Sequence, residues 1–179
     1  PSEVDSSVST RMDADHVRFV FVGKEWRRKG LDIAVRVVEE FRKTHSTATL
    51  SVFGPDPTTL PRAMRARDWI SFQGWSSEIP WSDFDVLLHP ARKEPFGMVV
   101  AEARSVGVPV VMSSQVGAAD LELTETKILD IDAPLAEWCH AASESIQRHT
   151  RERELKWTWS DLVAKHIETL YPQLEAVTL

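Results

Sequence analysis

Six short runs of β-branched and aromatic residues recur along this chain, and stretches with helical spacing separate most of them. The runs occupy residues 17–22, 49–53, 69–72, 84–89, 108–112 and 127–131. They are apolar on both faces, which is typical of strands covered on both sides, as in a parallel sheet. Alternating strands and helices predict βαβ units with right-handed crossovers. We therefore expect an α/β fold built on a doubly wound parallel sheet of about six strands.

The clearest helical pattern spans residues 30–43. Its apolar residues share one stripe at helical spacing: Leu31, Ala34, Val35, Val38 and Phe41. Further helices are predicted at residues 96–106, 59–65, 77–81, 134–149 and 159–171. Because the last two follow the final strand, the predicted architecture is a Rossmann-like sheet with C-terminal helices.

Composition narrows the class of protein. The 179 residues fit one domain, and the chain has no apolar run long enough to span a membrane. The net charge of -6 argues against nucleic-acid binding. The single cysteine, Cys139, suits a reducing compartment and predicts a cytoplasmic location. Residues 1–15 are rich in Ser and Asp and are interpreted as a flexible lead or interdomain linker, which leaves residues 16–179 as the folded domain.

In such folds ligands bind beyond the carboxyl ends of the strands. That rule selects residues 23–29, 54–58, 74–78, 90–96 and 113–119. The first of these loops places four cations just before a helix start: Lys24, Arg27, Arg28 and Lys29. Helix N-termini already favour anions, so the loop suits a diphosphate. A solvated basic turn is an equal alternative from spacing alone, since neither known glycine-rich phosphate motif occurs.

Glu94 and Glu102 bracket an almost wholly apolar segment. Pro95 suits the first turn of a helix, so a second set of free N–H groups is expected at Phe96, Gly97 and Met98. If both acids were helical they would lie about 12 Å apart. That exceeds the roughly 5–9.5 Å of a glycosidase pair and excludes a shared-proton dyad, but it fits the two ends of an extended ligand. The alternatives are a helix N-terminal acid for Glu94 and a buried structural ion pair for Glu102.

Other candidates at the same edge carry weaker signals. His89 ends a strand, where a structural role is the commoner one. Trp75 follows Gly74 and either stacks on a base or packs, with packing favoured. The histidines show no metal-ligand spacing with acids or with Cys139, so no metal site is predicted.

Several segments together are similar to a known family. They are Phe21-Val22-Gly23-Lys24 with Lys29-Gly30-Leu31-Asp32, the turn at Gly54, the strand ending at Gly74, Phe84 through Pro90, Glu94-Pro95-Phe96-Gly97 through Glu102-Ala103, and Gly107 through Val111 with Val116 through Asp120. The chain resembles the C-terminal, donor-binding half of GT-B-fold retaining glycosyltransferases of the large family four. The resemblance covers about residues 17–171 and implies that an N-terminal acceptor domain belongs to the same system.

The resemblance also implies roles for individual residues. Lys24 and Lys29 would hold the diphosphate of a nucleotide sugar, a UDP- or GDP-sugar, and Glu94 would bond the hydroxyls of the donor sugar. These three form the predicted catalytic set. The predicted donor-binding set is Gly23, Gly54, Gly74, Trp75, Glu78, His89, Phe96, Gly97, Met98 and Glu102, with Glu102 at the ribose and the loop of Gly74 to Glu78 beside the base. Such enzymes work without a metal or other cofactor.

Three departures from the family pattern bear on function. Lys24 stands where Arg is usual, Asp120 where Glu is common, and Leu123 through Lys127 replace a Gly-rich turn. The resemblance implies a hexosyltransferase of polysaccharide biosynthesis, with this part alone inactive and the full-length protein compatible with peripheral membrane binding. Two alternatives stay open: a nucleotide-sugar epimerase or phosphorylase domain on the same fold, and a non-catalytic interaction domain.

Overall fold

The computed structural model describes residues 16–121 and 123–149, with side chains to residue 147. In those ranges the strands are β1 Arg18–Val22, β2 Thr49–Phe53, β3 Ile70–Gly74, β4 Val86–His89, β5 Val110–Ser113 and β6 Thr126–Leu129. The α-helices are α1 Leu31–Phe41, α2 Arg62–Arg65, α3 Met98–Ser105 and α4 Leu135–His149. Short 3₁₀ helices lie at Pro57–Thr59, Trp81–Asp83 and Gly117–Leu121.

All six strands are parallel and lie in the order β3-β2-β1-β4-β5-β6. The order reverses between β1 and β4, where Phe19 pairs with Val86 and Val20 with Leu87. At such a switch point the loops that follow the two strands leave the sheet on opposite faces and open a crevice between them. The fold therefore places residues 23–30 and 90–97 on the two sides of one crevice.

Two apolar layers cover the sheet. On one face α1 and α4 pack against residues such as Phe19 and Phe21; on the other, α3 packs against residues that include Val20 and Leu87. Fully burying a side chain of this size contributes about 1.5–3 kcal/mol. The apolar stripe of α1, buried at all five predicted positions, thus fixes the helix that begins just after the cationic loop.

The predicted fold is confirmed, with the strands beginning and ending within two residues of the predicted bounds. The predicted helix at 77–81 is wrong, because Pro80 lacks an N–H group there and only a 3₁₀ turn follows it. The helix predicted at 59–65 is split, since Pro61 separates Pro57–Thr59 from α2. The lead at 1–15 and the helix predicted at 159–171 lie outside the described residues.

Candidate functional site

Two loops meet at the switch point: the β1 loop, residues 23–30, and the β4 loop, residues 90–97. The backbone N–H of Arg92 donates to the Arg28 carbonyl at 2.8 Å. In return, Nη1 of Arg28 donates to the Lys93 carbonyl at 2.7 Å. Because bonds run in both directions, residues far apart in sequence form one continuous surface.

Gly30 allows this close approach. Its φ is 78°, in the left-handed region, and a Cβ there would overlap the carbonyl oxygen of Pro90. At Gly23 a Cβ would lie 2.8 Å from Cγ of Lys29, so the aliphatic stem of Lys29 runs across that glycine. Glycine at these positions lets the two loops touch and lets the lysine lie flat along its own loop.

Lys29 and Glu94 form an ion pair across the two loops, between Nζ and Oε2. Their side chains are only 16% and 12% exposed, so water screens the pair weakly. Arg28 adds a second cation, with Nη1 at 3.5 Å from the same oxygen. Burial lowers the pKa of the Lys29 ammonium and Arg28 acts in the same direction, whereas the Glu25 carboxylate acts against them. Two cations and one carboxylate thus converge on one point.

The β4 loop is joined in turn to the β5 loop, residues 114–118. The N–H of Glu94 donates to the Gln115 carbonyl at 3.0 Å, and the N–H of Gly117 donates to the Glu94 carbonyl at 2.9 Å. The N–H of Ala118 donates to the Phe96 carbonyl at 2.6 Å. Glu94 therefore lies in a parallel bridge with Val116 and not in a helix.

These bonds correct the predicted start of α3. The prediction put Pro95 in the first helical turn, but the helix begins at Met98, after Gly97 with φ 93°. A helix starting at Pro95 would need the carbonyls of Glu94 and Phe96, and both are occupied by the β5 loop. The first N–H groups of the helix are those of Met98 and Val99, not of Phe96. Since Glu94 is not helical, the 12 Å estimate from helical rise does not apply.

Glu102 lies in the second turn of α3, one turn beyond Met98, and its side chain is only partly exposed. Burial raises the pKa of its carboxyl. Among residues 16–121 and 123–147, no hydrogen bond or ion pair of this carboxylate is found, so the alternative of a structural ion pair for Glu102 is not met in that part of the chain. A half-buried acid without a protein partner is available to a ligand.

His89 ends β4 beneath the β4 loop. It is fully buried, and neither ring nitrogen has a hydrogen-bond partner among the residues that the structure describes. Burial lowers the pKa of the ring to about 3, and the cations Lys29 and Arg28 add to the effect. The ring exposes no surface to solvent, and the donor contact predicted for His89 stays a prediction.

Three glycines end adjacent strands at the other side of the site. Gly23 donates its N–H to Phe53 at 2.9 Å, and Gly54 donates to Gly74 at 2.6 Å. Trp75, next in the chain, is 66% exposed, so the packing role favoured from sequence is wrong. Nζ of Lys24 lies 5.3 Å from the centre of the Trp75 ring, within the range of a cation–π contact.

A groove of about 740 Å³ opens beside Trp75 and Glu78, along the 75–84 crossover. Lys24 faces this side, whereas Lys29 faces Glu94, so the two lysines predicted to act as a pair mark different ends of the β1 loop.

The sequence assigns no role to Arg92 or Asp32, and it singles out Arg28 only as one of four cations in the β1 loop. Both nitrogens of the Arg92 fork bond the two Asp32 oxygens, at 2.8 and 2.7 Å, across the same two loops. Spacing carries no signal for such a pair, because its members are 60 residues apart. The sequence signal for Arg92 is its place in a ligand-edge loop, two positions before Glu94.

Within the described ranges, no three His, Cys, Asp or Glu side chains are grouped so as to hold a metal ion. A bilayer-spanning helix is likewise not found in the part of the chain that the structure describes.

Comparisons with known proteins bear on the family and the fold. Residues 16–145 match the family described as Glycosyl transferases group 1. A glycogen synthase of Mycobacterium tuberculosis is 27% identical over 110 residues, a match that covers 53% of this chain and 25% of that protein.

Two solved structures share the fold. WaaG, a glycosyltransferase involved in lipopolysaccharide biosynthesis, has a TM-score of 0.61 at 18% identity, with 88% of this chain and 48% of that chain covered. The pneumococcal O-GlcNAc transferase GtfA, in complex with UDP and GlcNAc, has a TM-score of 0.58 at 18% identity, with 85% of this chain and 31% of that chain covered. The chain thus spans less than half the length of these relatives.

Proposed function

The chain belongs to the Glycosyl transferases group 1 family, and from that premise we propose that it binds the donor of a retaining glycosyltransferase, a nucleoside diphosphate sugar. The observation that carries the proposal is the convergence of Lys29 and Arg28 on Glu94 at the switch point. Cations suit a diphosphate, and a carboxylate suits sugar hydroxyls. Donor sugar and diphosphate are covalently adjacent, which matches the adjacency of these side chains.

The rest of the donor follows the edge of the sheet. The N–H groups at the start of α3, from Met98 and Val99, would contact phosphate oxygens, with Gly97 and Phe96 beside the sugar. Glu102, for which no partner is found among the described side chains, would take the two ribose hydroxyls. Gly74 through Glu78, with Trp75 exposed, would flank the base, and Lys24 would lie between base and phosphate.

In the reaction, the bond between the anomeric carbon and the β-phosphate oxygen breaks, and an acceptor hydroxyl oxygen bonds the same carbon as it gives its proton to the leaving diphosphate. The leaving diphosphate gains negative charge. Lys29, Lys24 and the N–H groups at the start of α3 would stabilise that charge without a metal ion. Removing one donor of this kind raises a barrier by about 3–4 kcal/mol.

A transfer reaction also needs a site for the acceptor. We propose that it is supplied by a further, acceptor-binding domain, that the acceptor is a glycan or lipid, and that this part of the protein alone binds donor without transferring it. A hexose donor, polysaccharide synthesis and the cytoplasm are part of the same proposal; the single Cys139 and the lipopolysaccharide role of WaaG support it.

Calorimetric titration of the chain with UDP, GDP and ADP tests donor binding, with UDP first because GtfA was solved with it. A nucleotide present at 100 times its dissociation constant would raise the free energy of unfolding by about 2.7 kcal/mol. A chain that none of the three stabilises at millimolar concentration contradicts the proposal. Analysis of the product anomer formed by the full-length protein then separates retaining transfer from epimerase or phosphorylase chemistry.

A further inference from the structure

Asp32 and Arg92 connect the two loops of the site from the outside. Arg92 Nη1 bonds Asp32 Oδ1 at 2.8 Å and Nη2 bonds Oδ2 at 2.7 Å, and the same Nη1 reaches the Arg27 carbonyl at 2.6 Å. The Arg92 N–H also donates to the Arg28 carbonyl at 2.8 Å. One residue of the β4 loop is therefore held by three residues of the β1 loop and α1.

The anchor on the α1 side is rigid. Asp32 lies in the first turn of α1, where a carboxylate is favoured by the helix dipole. The buried stripe that begins at Leu31 fixes this turn against the sheet. Arg92 is thus tied to a fixed point that lies three residues beyond Lys29.

The other end of the connection carries Glu94. Arg92 precedes Glu94 by two residues, so the position of its backbone sets where the Glu94 carboxylate can lie relative to Lys29 and Arg28. A fork-to-carboxylate pair fixes direction as well as distance, which a single lysine contact cannot do.

We propose that Asp32 and Arg92 are positioning residues, whose paired bonds hold the β4 loop so that Lys29 and Glu94 contact adjacent groups of one donor. This inference rests on the proposed function and adds two residues that act through the site without touching the ligand. Neither residue is needed as a ligand contact, since their polar atoms are directed at each other.

The test measures the affinity of four proteins for UDP and for a UDP-sugar. The proteins are the wild-type chain, Arg92→Gln, Asp32→Asn and the double variant. We expect each single change to weaken binding of the UDP-sugar about fivefold, and the double variant to be no weaker than the singles, because both remove one connection. Additive losses, or unchanged affinity, would overturn the proposal. Arg67→Gln is the matched control: Arg67 holds Glu39 with two bonds, at 3.2 and 2.9 Å, away from the site, and its loss should leave binding unchanged.

Arg92→Lys separates positioning from direct phosphate binding. A lysine keeps the charge and loses the fork, so we expect it to bind as weakly as Arg92→Gln. Wild-type affinity for Arg92→Lys would assign Arg92 to the phosphate and refute positioning.

A ligand-free measurement keeps the inference independent of the proposed function. Hydrogen exchange at the amides of Arg92, Glu94 and Gly117 should quicken about tenfold in Arg92→Gln, while α1 amides such as Val35 stay protected. Unchanged exchange at all three refutes the connection even if no nucleotide binds. If Arg92→Gln speeds exchange but the wild-type chain binds no nucleotide, the result counts against the proposed function and not against the connection between the loops.

Discussion

The ammonium of Lys29 lies against the carboxylate of Glu94, and this ion pair joins the loop after β1 to the loop after β4 where the strand order reverses. The pair has a consequence for binding. Lys29 is already bound to Glu94, so a diphosphate that enters the site would compete with the Glu94 carboxylate for the Lys29 ammonium. The competition would end once the sugar hydroxyls bind the Glu94 carboxylate.

Glu94→Gln should therefore strengthen UDP binding, because the amide releases Lys29 and Arg28 to the phosphates. We expect a gain of about threefold to tenfold for UDP, and loss of the extra affinity that an attached sugar confers. Titration calorimetry with UDP and a UDP-sugar measures both. Glu25→Gln is the control: Glu25 holds Arg28 at 2.8 and 3.0 Å from the exposed side, so its removal frees only that cation and should give a smaller gain. Weaker UDP binding by Glu94→Gln would contradict competition.

Glu102→Gln should stabilise the free protein and weaken nucleotide binding. Burial raises the folded-state pKa of this carboxyl above its ordinary value of 4.5. As pH rises past 4.5 the unfolded chain loses its proton first, so wild-type stability falls until the folded pKa is passed, and the cost persists at pH 7. The variant should exceed wild type in urea denaturation at pH 7 and match it below 4.5. Glu137→Gln, an exposed change on α4, should do neither. A less stable Glu102→Gln protein would show that the carboxylate has a stabilising partner.

His89 should make stability fall in mild acid. Its folded pKa is about 3 against an ordinary 6.5, so below 6.5 the unfolded chain takes up a proton that the folded chain refuses. The free energy of unfolding then decreases by up to about 1.4 kcal/mol per pH unit. Denaturation at pH 7, 6 and 5 should show this slope in wild type and a reduced slope in His89→Leu. His140→Gln, which changes a 76% exposed ring, should retain it. An equal slope in the His89 variant would show that the ring gains a proton in the fold.

Gly30→Ala should destabilise the protein far more than Gly107→Ala. Both glycines have left-handed φ, 78° and 85°, so each alanine pays about 1–2 kcal/mol of backbone strain. Only at Gly30 would the added Cβ overlap the Pro90 carbonyl, whereas Gly107 has no atom within 4 Å of the new carbon. The difference between the two melting temperatures reports the contact between the loops. Equal losses would mean that the loops are not tightly apposed.

Much of the fold could be predicted because its determinants are local. Strands buried on both faces are largely apolar, as in β4 and β5, and the α1 stripe repeats at helical spacing. The carboxyl-edge rule then identified the loops of Lys29 and Glu94 before any contact was known.

What could not be predicted depends on contacts between distant segments. Pro95 favours a helix start on its own, yet the β5 loop occupies the carbonyls that such a helix would use. Lys29, which pairs with Glu94, is 65 residues away in sequence. The sequence does not tell which cation of the β1 loop pairs with this acid. Only the sheet order decides that Lys29 and Arg28 reach this acid while Lys24 turns to Trp75.

The most direct test is the structure of the chain crystallised with UDP. We expect a β-phosphate oxygen about 3 Å from Lys29 Nζ and from the N–H of Met98 or Val99, with the ribose hydroxyls on Glu102. A nucleotide whose phosphates lie away from Lys29, for instance in the groove beside Glu78 with the Lys29–Glu94 pair intact, would contradict the site proposed for the donor.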